Sequence, residues 1–342
     1  MRVGYNPNKD KIQKTNVFFH QVIIPVYIPN QEGYFKDSFK IFEYSLKSLF
    51  KTIHSKTYIT VVNNGSCLEV MDYLTNLHKE GKVHEVITTT NIGKLNAIVK
   101  GISGHNFTFI TITDADVLFL TNWQEETYKV FEKFPKTGVV CPTPSSKSLK
   151  NYTFNIWFDL LFSKSLQFTK VQNPLGLKAF AISVGNSNMY NNIHLEKYLT
   201  VSNDNFKAVV GAGHFAATYR KEVFENSKIK YSDFMLGGDS ESNLLDLPVI
   251  QKGMWRLSTE ENLAYHLGNV EEKWMKEMLH KIEPNYFLPS EPIILNKIKF
   301  SKVAFIFKHK LFSKILTRQK IWYHCLKLKG LSKDEALQYI KK

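Results

Sequence analysis

TFITITDADVLFL, residues 108 to 120, is the stretch on which the reading of this chain turns. Six apolar or β-branched residues run as a buried strand would, meet two carboxylates at Asp114 and Asp116, and give way to apolar residues again. Two residues apart, the acids point to one side of an extended chain. Like charges held that close are costly when buried unless a cation neutralises them. Two readings follow: the strand has ended and both acids are solvated in a turn, or the pair holds a hard divalent cation, Mg²⁺ or Mn²⁺, against a diphosphate.

The sequence before this stretch alternates strand-like and helix-like segments. FFHQVIIPVY (18–27) reads as a buried strand, and Phe39, Phe42, Leu46, Leu49 and Ile53 then recur on one face of a helix. YITVVN (58–63) is a second strand, closed by the turn NNGS and followed by a helix over 68–79. HEVITTT (84–90) is a third, NIGKLNAIVKGI (91–102) becomes a helix, and TFITIT is a fourth. This alternation predicts βαβ crossovers and an α/β fold with a mostly parallel central sheet and flanking helices. Ligands of such sheets sit at the carboxyl ends of the strands. Tyr27, Asn63, Asn64, Asn91 to Lys94 and Asp114 to Asp116 all fall at such ends, so they are expected to line one crevice.

After GVVCPTP (138–144) the pattern is less regular, with an aromatic helix candidate near 152–168 and an Asn-rich passage over 185–205. GGDSESNLL (237–245) places Asp239 after two glycines and before a helical pattern, as a helix N-cap or as a general base with room for a substrate hydroxyl. Glu241 reads as charge complementing the helix dipole. His266 in NLAYHLGN, and His214 in GAGHF, read as core histidines or as a ligand beside the two aspartates.

Composition bounds the alternatives. A chain of 342 residues with 43% hydrophobic content can bury a sizeable core. Three scattered cysteines indicate neither a disulfide framework nor a thiolate metal site. The polar opening MRVGYNPNKDKIQK and the lack of a long apolar run predict a cytoplasmic protein. From Lys297 onward there are 13 Lys or Arg against two acids, a net of +11 that leaves only +3 of the chain's +14 for the body. Charge gathered in a tail argues against a nucleic-acid groove, so no nucleic acid is expected as a partner. The tail mixes lysine with Phe305, Phe312, Leu316 and Tyr323, and with Trp322 as an interfacial residue. It reads as a basic amphipathic helix on the anionic inner face of a membrane, or as a helix packed on the body with its lysines solvated.

Seven segments in this order, VIIPVY (22–27), VVNNGS (61–66), NIGKLNAIVKGI (91–102), TITDADVLF (111–119), GAGHFAATYRKEVF (211–224), GGDSESNLL (237–245) and AYHLGN (264–269), resemble the inverting family 2 glycosyltransferases, which have the GT-A nucleotide-sugar fold. The resemblance spans about residues 17 to 270. It implies that Pro25, Tyr27, Asn63, Asn64 and Lys94 hold the nucleotide, with UDP expected, and that Asp114 faces the ribose or the metal. It implies Asp116 and His266 as further ligands of Mn²⁺ or Mg²⁺, and Asp239 as the catalytic base. The family usually has an acid in the NNGS turn, where this chain has two asparagines, and a Glu before the base, where it has Gly238.

The expected organisation is a lead over 1–16, a nucleotide-sugar half over 17–143, an acceptor half over 144–290 and a basic helical tail over 291–342. The expected reaction moves a sugar from a nucleotide-diphosphate donor to a glycan or lipid-linked hydroxyl, with inversion, in bacterial surface polysaccharide assembly. A retaining enzyme of the same fold and a non-catalytic, membrane-associated nucleotide-binding module are the alternatives. A sugar-phosphate nucleotidyltransferase would want a Gly- and Arg-rich loop after the first strand, and PVYIPNQEGY is not one.

Overall fold

The computed structural model describes residues 4–12, 17–225, 231–287, 289, 293–299 and 301–340. Its first part follows the alternation of the sequence: β1 (His20–Val26), α1 (Ser38–Thr52), β2 (Thr57–Asn63), α2 (Leu68–Lys79), β3 (Glu85–Thr88), α3 (Lys94–Ile102) and β4 (Phe109–Thr113). The four strands pair in parallel in the order β3-β2-β1-β4. Val22, Ile23, Ile24, Val61 and Val62 are fully buried, as strands covered on both faces must be. α1 buries Phe42, Leu46 and Leu49 completely against this sheet, with Phe39 and Ile53 at the rim of the same face. Gly101 of α3 lies so close to the sheet that a Cβ would sit 2.7 Å from Ile23 Cγ2.

The chain continues through β5 (Val117–Phe119), α4 (Trp123–Lys133), β6 (Thr137–Cys141), α5 (Phe154–Leu160), β7 (Leu166–Lys170), α6 (Pro174–Ser183), α7 (Asn192–Glu196), β8 (Lys197–Asn203), β9 (Phe206–Val210) and β10 (Ala216–Arg220). It then forms α8 (Leu247–Gln251), β11 (Trp255–Ser258), β12 (Ala264–His266) and α9 (Lys273–Lys281). β10 runs antiparallel between β4 and β6, β11 pairs in parallel with β6, and β9, β8 and β7 complete a ten-stranded sheet in antiparallel fashion. Strands from both sides of residue 143 belong to this one sheet, so the two expected halves share one framework. β5 and β12 form a separate two-stranded sheet.

Two readings need correction, the helix candidate over 152–168 and the tail. The helix candidate over 152–168 ends at Leu160, because the polar stretch around Ser163 turns the chain and 166–170 pairs with β8 instead. The Asn-rich passage is ordered: Asn191 caps α7 with a capping box, and Asp204, with φ of 52°, turns the β8–β9 hairpin. The tail is not one amphipathic surface. Helices over Gln319–Leu328 and Lys333–Ile340 are docked on the body, with Trp322, Leu326, Ala336 and Tyr339 buried. Trp322 meets Trp157 edge to face at 4.9 Å and is a core residue. Among the described residues, no helix is long and apolar enough to cross a membrane.

Candidate active site

Two clefts open at the carboxyl ends of the parallel strands, and they meet at Lys94 and Asp114. The first, about 440 Å³, is lined by Pro25, Tyr27, Tyr34, Asn64, Met235 and Leu236 together with Lys94 and Asp114. The turn after β2 shapes its floor. Asn64 Oδ1 accepts the Ile92 N–H at 3.0 Å, and its Nδ2 donates to Asn91 Oδ1 at 3.1 Å, tying the ends of β2 and β3 together. Gly93 stands before α3 with φ of 87°, and a Cβ there would lie 2.9 Å from the Phe234 carbonyl oxygen. That close approach lets the Lys94 N–H donate to Met235 O at 2.9 Å and brings the Met235–Leu236 backbone over the cleft.

The second cleft, about 540 Å³, is lined by Tyr152, Phe180, His214, Glu241, Arg256 and His266 beside the shared pair. An alternating chain of charges crosses it. Lys94 Nζ lies 2.7 Å from Asp114 Oδ1 and 3.0 Å from Glu241 Oε1. Glu241 Oε2 is 3.6 Å from His214 Nδ1, and His214 Nε2 is 2.7 Å from Asp246 Oδ1. Asp246 also takes the guanidinium of buried Arg256, whose second arm donates to Ala212 O at 2.6 Å. Burial disfavours the His214 cation, yet its bonds to Asp246 and Glu241 prevail and push its pKa up to about 9. The same His214 contact, helped by Lys94 and opposed by burial, holds Glu241 down to about 2. Burial likewise works against the Lys94 ammonium, and Asp114 and Glu241 outweigh it, so Lys94 stays charged.

Asp114, Asp116 and His266 form the third part of the site. β12 pairs with β5 so that His266 stands opposite Val117, and the Leu267 N–H donates to Asp116 O at 2.7 Å. His266 Nε2 is 3.4 Å from Asp116 Oδ2, while Nδ1 meets Ser183 Oγ of α6 at 3.0 Å. One ligand atom from each of the three residues lies within 4.8 Å of the others. Burial pushes the Asp116 carboxyl up to about 6, with His266 opposing and Asp114 adding to the rise.

The sequence model of Glycosyl transferase family 2 matches residues 22–226, more than half of the chain. The chain belongs to this family. Solved structures with a similar course of the chain include Staphylococcus aureus TarS residues 1–349 in complex with UDP-GlcNAc, at 12% identity and a TM-score of 0.44, over 94% of this chain and 70% of that one. Another is the Pyrobaculum calidifontis mannosyltransferase PcManGT in complex with GDP-Man and Mn²⁺, at 12% identity and a TM-score of 0.45, over 94% of this chain and 78% of that one. No curated protein sequence matches the chain.

In this family 2 glycosyltransferase, with its GT-A architecture, Pro25, Tyr27, Asn64, Lys94 and Asp114 share the first cleft. Asn63 does not reach it: its side chain is buried under the turn, where Oδ1 accepts the Ser66 N–H at 3.0 Å. Asp239 is exposed and lines neither cleft. Gly237, Gly238 and Asp239 all have positive φ, a left-handed turn that ejects the Asp239 side chain and starts the helix at Ser240. A Cβ at Gly238 would lie 2.5 Å from the Phe234 ring, so the glutamate common in the family does not fit there. The carboxylate of this segment that faces the second cleft is Glu241. Sequence reading assigned it to the helix dipole because spacing does not show that three left-handed residues precede it. Tyr152, Phe180, Asp246 and Arg256 carried no motif, since each is an ordinary residue of a helix, strand or turn until the chain folds back on itself.

Proposed function

We propose that this glycosyltransferase moves one sugar from a nucleoside-diphosphate donor, with UDP the first candidate, to a hydroxyl of a glycan or glycolipid, inverting the anomeric carbon. The observation that carries the reading is the junction of the two clefts at Lys94 and Asp114, with Glu241 on the far side of the same ammonium. The first cleft suits a nucleoside: Tyr27 and Tyr34 supply ring faces, and Asn64 supplies an amide in the position where the family usually has an acid.

Asp114, Asp116 and His266 fit a divalent cation. Two carboxylate oxygens and one imidazole nitrogen make a donor set that suits such an ion, and one ligand atom from each of the three residues lies within 4.8 Å of the others. When bound there, Mn²⁺ or Mg²⁺ supplies positive charge that neutralises a diphosphate leaving group.

The chain's own groups do the rest. Lys94 stands where it meets the diphosphate. Drawing Lys94 toward phosphate loosens its hold on Glu241 and raises the proton affinity of that carboxylate, while the larger His214 contact keeps it ionised and free to accept a proton. The acceptor hydroxyl oxygen attacks the anomeric carbon, its proton passes to Glu241, and the bond from that carbon to the diphosphate oxygen breaks with its electron pair on the diphosphate. One base and one in-line displacement give inversion. In this reading Glu241 takes the role expected of Asp239. Phe180 and Tyr152 frame the acceptor side, and the charged pair Asp246 and Arg256 holds His214 in place.

Thermal-shift measurements with UDP, GDP, dTDP and CMP, each with and without Mn²⁺, test the donor site. The reading expects a metal-dependent rise in Tm with one nucleotide, lost in Asp116→Ala. A shift that persists in that variant removes the metal assignment, and no shift with any nucleotide removes the donor site.

A further inference from the structure

The basic tail divides into two kinds of helix. The docked helices over Gln319–Leu328 and Lys333–Ile340 bury their apolar residues in the body. The preceding helical run, Lys302–Leu316, buries Leu316 and leaves most of its other apolar residues exposed or half-exposed. Its inner side is anchored: Leu316 is buried, Phe158 meets the Phe307 and Phe312 rings at 5.6 and 5.2 Å, and Lys308 pairs with Asp159 at 2.5 Å. Its outer side exposes Val303, Ile306, Leu311 and Ile315, with Phe307 half-exposed at the rim, each between 42% and 78% accessible.

Charge says what covers that row. Between Lys297 and Arg318 there are seven Lys or Arg and no acid. Lys302, Lys310, Lys314 and Arg318 are exposed and make no ion pair with another described residue. A nucleic-acid surface calls for cations without an apolar row between them. A protein-binding helix face has no need of an acid-free cationic border. Apolar side chains at the depth of the acyl boundary, with long cations reaching to anionic headgroups, satisfy both halves of the pattern.

We propose that Lys302–Leu316 is a contact surface for anionic phospholipid. Val303, Ile306, Phe307, Leu311 and Ile315 enter the bilayer interface, and Lys302, Lys310, Lys314 and Arg318 hold the headgroups. This narrows the expected membrane surface of residues 297–342 to its first third. The surface lies along the amino edge of the sheet. Asp159, which holds Lys308, also binds Lys136 beside the start of β6 and the Trp255 indole at the start of β11. Arg220, at the same edge, donates to Asn296 O at 2.7 Å. Both clefts open at the opposite, carboxyl edge, so the membrane contact and the donor site are separable.

Co-flotation of the full chain with vesicles of phosphatidylglycerol and phosphatidylcholine, and with phosphatidylcholine alone, tests this. The wild type partitions onto the anionic vesicles and not the neutral ones. Lys310→Gln with Lys314→Gln lowers that partitioning roughly 30-fold, and Val303→Ser with Leu311→Ser lowers it roughly tenfold. All four positions are largely solvent-facing, so both variants fold, and their nucleotide-induced thermal shifts match the wild type. The proposal is overturned if the wild type ignores anionic vesicles, or if the lysine variant weakens binding while the apolar variant does not, which marks a general polyanion site. It is also overturned if the wild type is a dimer that the apolar variant dissociates and vesicles are not bound.

Discussion

Glu241→Gln and Asp239→Asn, measured side by side, separate the two candidate bases. Gln keeps the shape of Glu241 and an oxygen for Lys94, so the cleft persists, but it accepts no proton. Removing a general base costs 10² to 10⁴ in rate, roughly 3 to 5 kcal/mol on the barrier. The structure also gives a stability effect. The fall of Glu241 from 4.5 to about 2, dominated by its bond to His214, corresponds to roughly 3 kcal/mol at about 1.4 kcal/mol per tenfold in proton affinity. About a third of the side chain faces water, and screening reduces this to roughly 1.5 kcal/mol. A depressed carboxylate stabilises the fold above its unfolded value, so this contribution is present at neutral pH and fades as pH falls from 4.5 toward 2. Exposed Asp239 has no such partner among the described residues, so Asp239→Asn should change stability by no more than about 0.5 kcal/mol and leave kcat near wild type. Single-turnover transfer with saturating donor, and urea unfolding at pH 7.5, read both quantities. If Asp239→Asn abolishes transfer while Glu241→Gln retains it, the assignment of Glu241 is refuted.

Other outcomes follow from the same geometry. Gly93→Ala forces a Cβ against the Phe234 carbonyl at a left-handed φ; with about 1 to 2 kcal/mol of backbone strain and the Lys94 to Met235 hydrogen bond at risk, urea unfolding should show a loss of roughly 2 to 3 kcal/mol and nucleotide affinity should fall, whereas a neutral effect on both would mean the loop is not held there. Buried His54, which bonds Tyr128 at 2.8 Å, has its pKa lowered from 6.5 to about 4 mainly by burial. Protons then favour the unfolded chain, so the stabilisation is complete above 6.5 and drains away toward 4, by about 2 kcal/mol at pH 5. His54→Asn should flatten that dependence in urea titrations at pH 7.5 and 5, and an unchanged slope would show that His54 is not the titrating group. Trp322→Ala empties a buried site against Trp157 and should cost roughly 3 to 5 kcal/mol; a wild-type Tm would show that the last helices do not belong to the core.

Much of this was legible before any coordinates. Strands covered on both faces read as unbroken β-branched runs, and the helix over 38–52 declares its buried face at every third or fourth residue, because both patterns are local consequences of burial and backbone period. The parallel order β3-β2-β1-β4 brings Tyr27, Asn64, Lys94 and Asp114 to one edge without needing any contact to be known. The second half was harder to read. Antiparallel strands such as β7 and β8 lie beside polar turns, and the segment 166–170 became a strand only because β8 was there to pair with it.

By itself the sequence determined the chemistry on offer: acids at the end of β4, an ammonium at the start of α3, and a histidine in AYHLGN. Only the tertiary structure decided which of these meet. Pairing of β12 with β5 carries His266 across 150 residues of chain to Asp116. Three left-handed residues rotate Asp239 out and Glu241 in, and the docked helices turn Trp322 from a surface residue into core while the outer side of 302–316 stays uncovered. The reason is physical. Periodicity and propensity act over a few residues, whereas the direction of a side chain at a turn, and the partner of a charge, depend on packing between segments far apart in the chain.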